Sequence, residues 1–145
     1  MIDINLVKVE KIRPLRNKIL RPGFPSSVVI YDCDSDQTCF HIAAKKNNKI
    51  IGSATFYQTP HESCKGDIVY RLRGMAVDFN YQKKGIGKQI LGFALSELNK
   101  RSAAFLWCNA RLGAVSFYKK LNFKIYGEEF NIEHIGPHYV MYVKV

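Results

Sequence analysis

The stretch Met75-Ala76-Val77-Asp78-Phe79-Asn80-Tyr81-Gln82-Lys83-Lys84-Gly85-Ile86-Gly87-Lys88 runs from an apolar strand through a glycine-punctuated turn into a helix. Gly85 and Gly87 remove side chains where backbone N–H groups approach a ligand, and the positive end of the following helix dipole attracts an anion. Lys83, Lys84 and Lys88 add to that field. Two familiar phosphate loops are excluded. A GxxxxGK[ST] loop needs glycine five residues before Gly87, where Gln82 stands, and a hydroxyl after Lys88, where Gln89 stands. A dinucleotide fingerprint needs a small residue at Ile90 and an acid roughly 20 residues later, where Lys100, Arg101 and Ser102 lie. What remains is Q-x-x-G-x-G, read either as an anion cradle or as a glycine turn beside a basic helix start.

The chain has 145 residues, 47% of them apolar, which suits one domain with one core. Its longest apolar run, Ala103 to Cys108, is far shorter than a membrane span, and its alternating start, with Asp3 and Glu10, is unlike an export signal. Neither membrane spanning nor membrane binding is expected. Cys33, Cys39, Cys64 and Cys108 show no CxxC spacing, so no disulfide framework and no metal are expected, and a cytoplasmic location follows. The net charge of +10 invites a nucleic-acid reading. However, the cations fall in local groups, with Asp32, Asp34 and Asp36 forming an acidic patch between them, which suits a small polyanion. No nucleic acid is expected as partner, and the reading leaves room for a homodimer.

Periodicity predicts the element order β, α, β-hairpin, β, α, β, α, β, β. Ile2 to Lys8 alternates as a strand, and Ile12, Leu15 and Ile19 mark a helix stopped at Arg21-Pro22-Gly23. A loop with a short helical turn covers Ser26 to Gln37. Phe40 to Ala44 and Ile50 to Tyr57 form a hairpin across Asn47-Asn48, and Asp67 to Val77 a longer strand. A helix runs from about Gly85 to Arg101, a central strand from Ala103 to Cys108, and a second amphipathic helix from Ala114 to Leu121. Phe123 to Tyr126 and Tyr139 to Val145 close the domain as strands separated by an acidic, Gly-Pro-containing connection.

With these motifs in order, the sequence resembles the GNAT superfamily of acyl-coenzyme A-dependent N-acyltransferases. Q-x-x-G-x-G looks like its pyrophosphate-binding signature. Ala114-Val115-Ser116-Phe117-Tyr118-Lys119-Lys120-Leu121-Asn122-Phe123 is similar to the A-x-x-F-Y-x-x-L-G-F pattern closing the cofactor site, with Asn122 where glycine is usual. Arg71 to Val77, Leu106 to Arg111 and Gly136 to Tyr139 look like a less characterised bacterial branch. The resemblance covers nearly the whole chain, residues 1–145. It implies an α/β (α+β) single-domain fold with a mixed, mostly antiparallel sheet flanked by helices and splayed between the fourth and fifth strands.

The implied activity is transfer of an acetyl group from acetyl-coenzyme A to the primary amine of a small molecule, by direct attack in a ternary complex. A longer acyl group, and a non-catalytic acyl-coenzyme A sensor, are the alternatives. By the same resemblance Gln82, Lys83, Lys84, Gly85, Ile86, Gly87 and Lys88 would cradle the pyrophosphate. Main-chain groups of Met75, Ala76 and Val77 would line the pantetheine arm, an N–H at or near Met75 would face the acyl oxygen, and Asn109 would contact the cofactor. Tyr118 would protonate the departing thiolate; a phenol is mostly protonated at neutral pH, although Tyr118 also suits a core position. Where relatives often place a carboxylate before the loop, this chain has Arg71 and Arg73. The base is therefore sought among Glu62, His61, Glu128, Glu129 and His138, of which His138 has the fitting intrinsic pKa, unless deprotonation goes through water. Arg71 and Arg73 share one strand face and would hold an acidic substrate, or sit as solvated or ion-paired surface groups. Arg111 would bind cofactor or substrate. Trp107 reads as core, and Cys108 as an inert buried thiol unless it reacts beside the thioester.

Overall fold

Asn47 and Asn48 adopt φ of 50° and 63°, the left-handed pair that a two-residue antiparallel turn requires. In the computed structural model, which describes residues 1–145, this turn joins β2 (Phe40–Lys46) to β3 (Lys49–Gln58). Ahead of them lie β1 (Asp3–Val7), α1 (Arg13–Leu20) and two 3₁₀ turns, Ser26–Val29 and Asp32–Ser35. After them come β4 (Val69–Val77), α2 (Ile86–Lys100), β5 (Phe105–Arg111), α3 (Val115–Lys120), β6 (Lys124–Ile132) and β7 (Gly136–Lys144). The strands form a seven-stranded mixed sheet in the order β1-β2-β3-β4-β5-β7-β6. The parallel ladder between β4 and β5 runs from Val69↔Phe105 to Leu72↔Cys108, in keeping with the splay expected there.

Two compact units divide the chain, one of Met1–Tyr57 with Arg73–Glu97, the other of Gln58–Leu72 with Leu98–Val145. In the first, β1 pairs antiparallel with β2 and β2 with β3. Phe40 and Phe56 stack with centroids 5.0 Å apart, and a Cβ at Gly52 on β3 would come within 2.9 Å of both Ile86 and Ile90. The missing side chain at Gly52 is what lets the start of α2 lie close against β3. In the second, β7 pairs antiparallel with β5 and with β6, and Cys64, Val69 and Trp107 form a core flanked by Phe105, Val140 and Tyr142.

The structure corrects several expectations. Arg16, a cation standing between the apolar positions of α1, is completely buried. Asp34 is likewise no surface charge, because its side chain is 3% exposed and paired with Arg16. The acidic connection expected after Tyr126 is instead hairpin: β6 continues to Ile132 and β7 begins at Gly136. Gly127, at φ 76°, lies within the register shift between Tyr126 and Phe130, so a bulge breaks the alternation that would have marked the strand. No helix is long and apolar enough to cross a membrane.

Candidate functional site

The glycine loop is built by left-handed backbone at alternate positions. Lys83 has φ 61° and Gly85 φ 83°, and the first α2 bond runs from Gln89 N–H to the Gly85 carbonyl at 3.1 Å. The N–H groups of Gly85, Ile86, Gly87 and Lys88 therefore precede the helical ladder, as the first donors of a helix must. A Cβ built on Gly85 meets nothing within 4 Å, so conformation and not packing calls for glycine, and the loop's outer face is open. Lys83, Lys84, Gly85 and Lys88 are exposed, whereas Ile86 and Gly87 are buried. Gln82 is exposed, and its side chain folds back along the chain to donate from Nε2 to the Val77 carbonyl at 2.9 Å.

Ahead of the loop, Asp78 caps the turn by accepting from Asn80 N–H, and Lys18 Nζ lies 3.2 Å from its carboxylate. These contacts, the Asn80 N–H foremost, hold its pKa below the usual carboxylate value. Sequence reasoning missed this role, although Asp-x-Asn before a glycine turn is an Asx-turn signal. On β4, Met75 and Val77 are half-buried and Ala76 buried. Gly74 bends the strand at φ 67°, where a Cβ would lie 3.2 Å from both Arg16 Nε and the Tyr31 ring. Tyr31 carries two guanidiniums, Arg16 at 4.1 Å and Arg73 at 4.0 Å from its centroid. Arg73 is thus a partly covered, stacked cation.

In the second unit, Tyr118 is the buried residue of α3. Its hydroxyl donates to the Cys108 thiol, and burial, the Cys108 charge and this bond raise its pKa well above that of a free phenol. Burial pushes the Cys108 thiol up to about 12, so it stays protonated and unreactive. Asn109, half-buried on β5, pairs with Val140, and Arg111, half-buried at the strand's end, with His138. His138 is buried, its Nδ1 lies 2.7 Å from the Gly136 carbonyl, and its ring stacks on Phe130 at 5.8 Å. A carbonyl only accepts, so Nδ1 carries the proton and Nε2 is the basic nitrogen.

The other base candidates are placed differently. His61 Nδ1 accepts from Ser63 N–H at 3.0 Å, leaving the ring proton on Nε2. Its ring packs on Trp107 at 4.5 Å and edge-on to Tyr126 at 5.7 Å. Glu62, Glu128 and Glu129 are exposed. Trp107 is core, as expected, with Nε1 donating to the Thr59 carbonyl at 3.1 Å; Arg71 lies over its ring at 4.8 Å. Arg71 and Arg73 share a strand parity but belong to different compact units, each stacked on its own aromatic ring.

The profile of the Acetyltransferase (GNAT) family matches residues 9–123. An uncharacterised N-acetyltransferase of Bacillus subtilis strain 168, YitI, is 32% identical over 142 residues, covering 98% of this chain and 95% of that protein. The ribosomal protein bS18-alanine N-acetyltransferase of Escherichia coli K12 is 38% identical over 55 residues, 36% of this chain and 37% of its own. Among solved structures, an aminoglycoside 6'-N-acetyltransferase complexed with coenzyme A shares the fold at TM-score 0.72 and 14% identity, covering 98% of this chain and 96% of that one.

Proposed function

The chain belongs to the GNAT family of acetyltransferases, and from that premise we propose that it moves an acetyl group from acetyl-coenzyme A to the primary amine of a small molecule by direct attack in a ternary complex. We propose residues 1–145 as one acyltransferase domain, and the cytoplasm, whose reducing conditions suit four free thiols, as its location. The observation that carries the reading is the Gln82–Lys88 loop. Its open Gly85 face, its left-handed positions and its exposed lysines fit a pyrophosphate.

When bound, acetyl-coenzyme A supplies the reactive thioester. The loop N–H groups hold the diphosphate, and β4 main-chain groups from Met75 to Val77 line the pantetheine arm. An N–H at or near Met75 faces the acyl oxygen, where preorganised donors stabilise developing charge. Tyr118 holds a proton for the departing sulfur, and its raised pKa keeps it protonated through the neutral range. His138 Nε2 takes the proton from the incoming amine, a role favoured over His61 because Nδ1 of His61 is already an acceptor. Asn109 contributes to the cofactor side and Arg111 to cofactor or substrate.

The test is amine-dependent thiol release from acetyl-coenzyme A across a panel of small amines, paired with thermal-shift titration by coenzyme A. Ligand binding to the native state raises apparent stability, so coenzyme A and its desulfo analogue should both do so. Gly85→Val, checked for folding by circular dichroism, should lose the shift. A parent protein that neither gains stability with coenzyme A nor turns over any amine would overturn the proposal.

A further inference from the structure

Tyr81, half-buried in the turn ahead of the glycine loop, has two ammonium groups against its ring. Lys84 Nζ of the loop and Lys46 Nζ of the β2–β3 hairpin each lie 5.7 Å from its centroid. The two elements meet because Asp78 N–H donates to the Ile51 carbonyl at 2.8 Å and Tyr81 N–H to the Asp78 carbonyl at 2.8 Å, which folds the turn against the start of β3. All of these residues belong to the same compact unit. Lys46 pairs across the hairpin with Lys49, a like-charge pairing that costs stability. Lys83 and Lys88 add further exposed cations.

The chain itself does not neutralise this group. Lys46, Lys49, Lys83, Lys84 and Lys88 are all exposed, and none makes an ion pair. Asp78, the carboxylate at the base of the turn, is buried and already paired with Lys18. Cations gathered around one ring without counter-charge raise the local potential and suit an anion with more than one charged group. We propose that Lys46 and Lys84, gathered on Tyr81, hold the 3′-phosphate of coenzyme A beside the loop that takes its diphosphate, and so set a preference for the 3′-phosphorylated cofactor. This rests on the acyl-transfer reading of that loop.

The fit is one of charge and tether. A phosphate monoester carries a charge of about −1.5 to −2 at neutral pH and three strong acceptor oxygens, enough for two ammonium groups at once. The 3′-phosphate hangs from the same ribose whose 5′ oxygen carries the diphosphate, so a diphosphate held at the glycine loop keeps it beside the neighbouring turn. Lys84 joins the two positions, since it leads into Gly85 while its ammonium reaches Tyr81. Lysine stems are flexible, and the ring gathers both of them before the ligand arrives, which lowers the ordering cost of binding. The consequence is selection of the acyl donor. Dephospho-coenzyme A, and a phosphopantetheine arm carried on another protein, present the same thioester without this phosphate.

The experiment compares coenzyme A with dephospho-coenzyme A by calorimetric titration of the full chain. Two exposed ion pairs, each contributing up to about fivefold, set the expected preference for coenzyme A at roughly tenfold, larger at low salt than at high salt. Lys46→Ala should weaken coenzyme A about three- to fivefold and leave dephospho-coenzyme A unchanged. Tyr81→Leu should reduce the preference, and Tyr81→Phe should keep it. Lys100→Ala, an equal change of charge at the far end of α2, should leave it intact. Adenosine 3′,5′-bisphosphate should compete with coenzyme A at concentrations where inorganic phosphate does not. Equal affinity of the parent for the two cofactors, a preference that survives Lys46→Ala, an equal loss in Lys100→Ala, or equal competition by inorganic phosphate would each overturn the subsite. In all of these cases dephospho-coenzyme A still reports on the diphosphate loop. If neither cofactor binds, the reading of the loop itself fails, and the subsite with it.

Discussion

The side-chain amide of Gln82 donates to the carbonyl of Val77 at 2.9 Å, so the residue that opens the glycine loop also ties that loop to the end of β4. The proposed function uses the backbone of this loop; the structure adds a side-chain contact from Gln82 at the point where the loop begins.

Gln82→Ala should therefore weaken coenzyme A without unfolding the protein. A net hydrogen bond contributes about 0.5–1.5 kcal/mol, which corresponds to a loss of roughly two- to tenfold in affinity when it serves only to order the loop. Calorimetric titration of coenzyme A measures it, with thermal denaturation of the free protein as control. An unchanged dissociation constant would mean that the loop holds its shape without this bond.

Tyr118→Phe should lower the single-turnover rate by about 10²–10⁴ while leaving acetyl-coenzyme A affinity nearly unchanged, since it deletes a proton donor and keeps the ring. The raised pKa of Tyr118 adds a sign. Because the phenol is protonated throughout the neutral range, the parent's basic limb below about pH 10 must come from another group. A limb in that range that vanished in Tyr118→Phe would contradict the assignment. Stability follows the same sense: the raised folded pKa is matched below the unfolded value near ~10, and the native state loses ground as pH rises beyond it.

The parts of the fold that were legible in sequence are those written in local periodicity. Asn47-Asn48, the β2–β3 alternation and the glycine loop each announce themselves within a few residues. Arg16 did not, because a helix pattern records where an arginine stands and not that Asp34, Thr55 and the Val29 carbonyl converge on it from 13 to 39 residues away. Likewise the link between Tyr118 and Cys108 joins a helix to a strand, and no spacing rule relates them. The Gly127 bulge hid half of β6 by interrupting its alternation, so the closing hairpin looked like a loop.

Breaking the buried Arg16–Asp34 pair from one side should be severe. The guanidinium donates to both carboxylate oxygens, at 2.9 and 3.2 Å, and Arg16 is completely buried. Asp34→Asn should destabilise by about 3–5 kcal/mol, the range for leaving a buried charge without its partner. Burial alone would raise the Asp34 pKa, but Arg16, the Tyr31 N–H and Arg13 together hold it below the usual carboxylate value. Its contribution is therefore fully present above about pH 4 and is lost as pH falls through the depressed folded pKa. Urea denaturation from pH 7 to pH 2 should show a shallower acid slope in Asp34→Asn than in the parent. Identical slopes would place the acid sensitivity on Asp78 or elsewhere.

The last prediction concerns the charge of the acceptor. Arg71, half-buried over Trp107 on the strand leading toward the glycine loop, presents a guanidinium suited to a carboxylate or phosphate on the incoming amine. Arg71→Ala should raise KM for an acidic amine about tenfold, within the range for hydrogen bonds to charged groups, and leave coenzyme A affinity unchanged. The effect should be larger at low salt, because added ions screen the attraction in the parent. A solvated or purely structural Arg71 predicts no difference between acidic and neutral amines on truncation. If polyamines outperform every acidic amine, the acceptor site is anionic instead. Asp34 would not then be its source, since that carboxylate is committed to Arg16, and the exposed pair Glu128 and Glu129 on β6 would become the residues to replace.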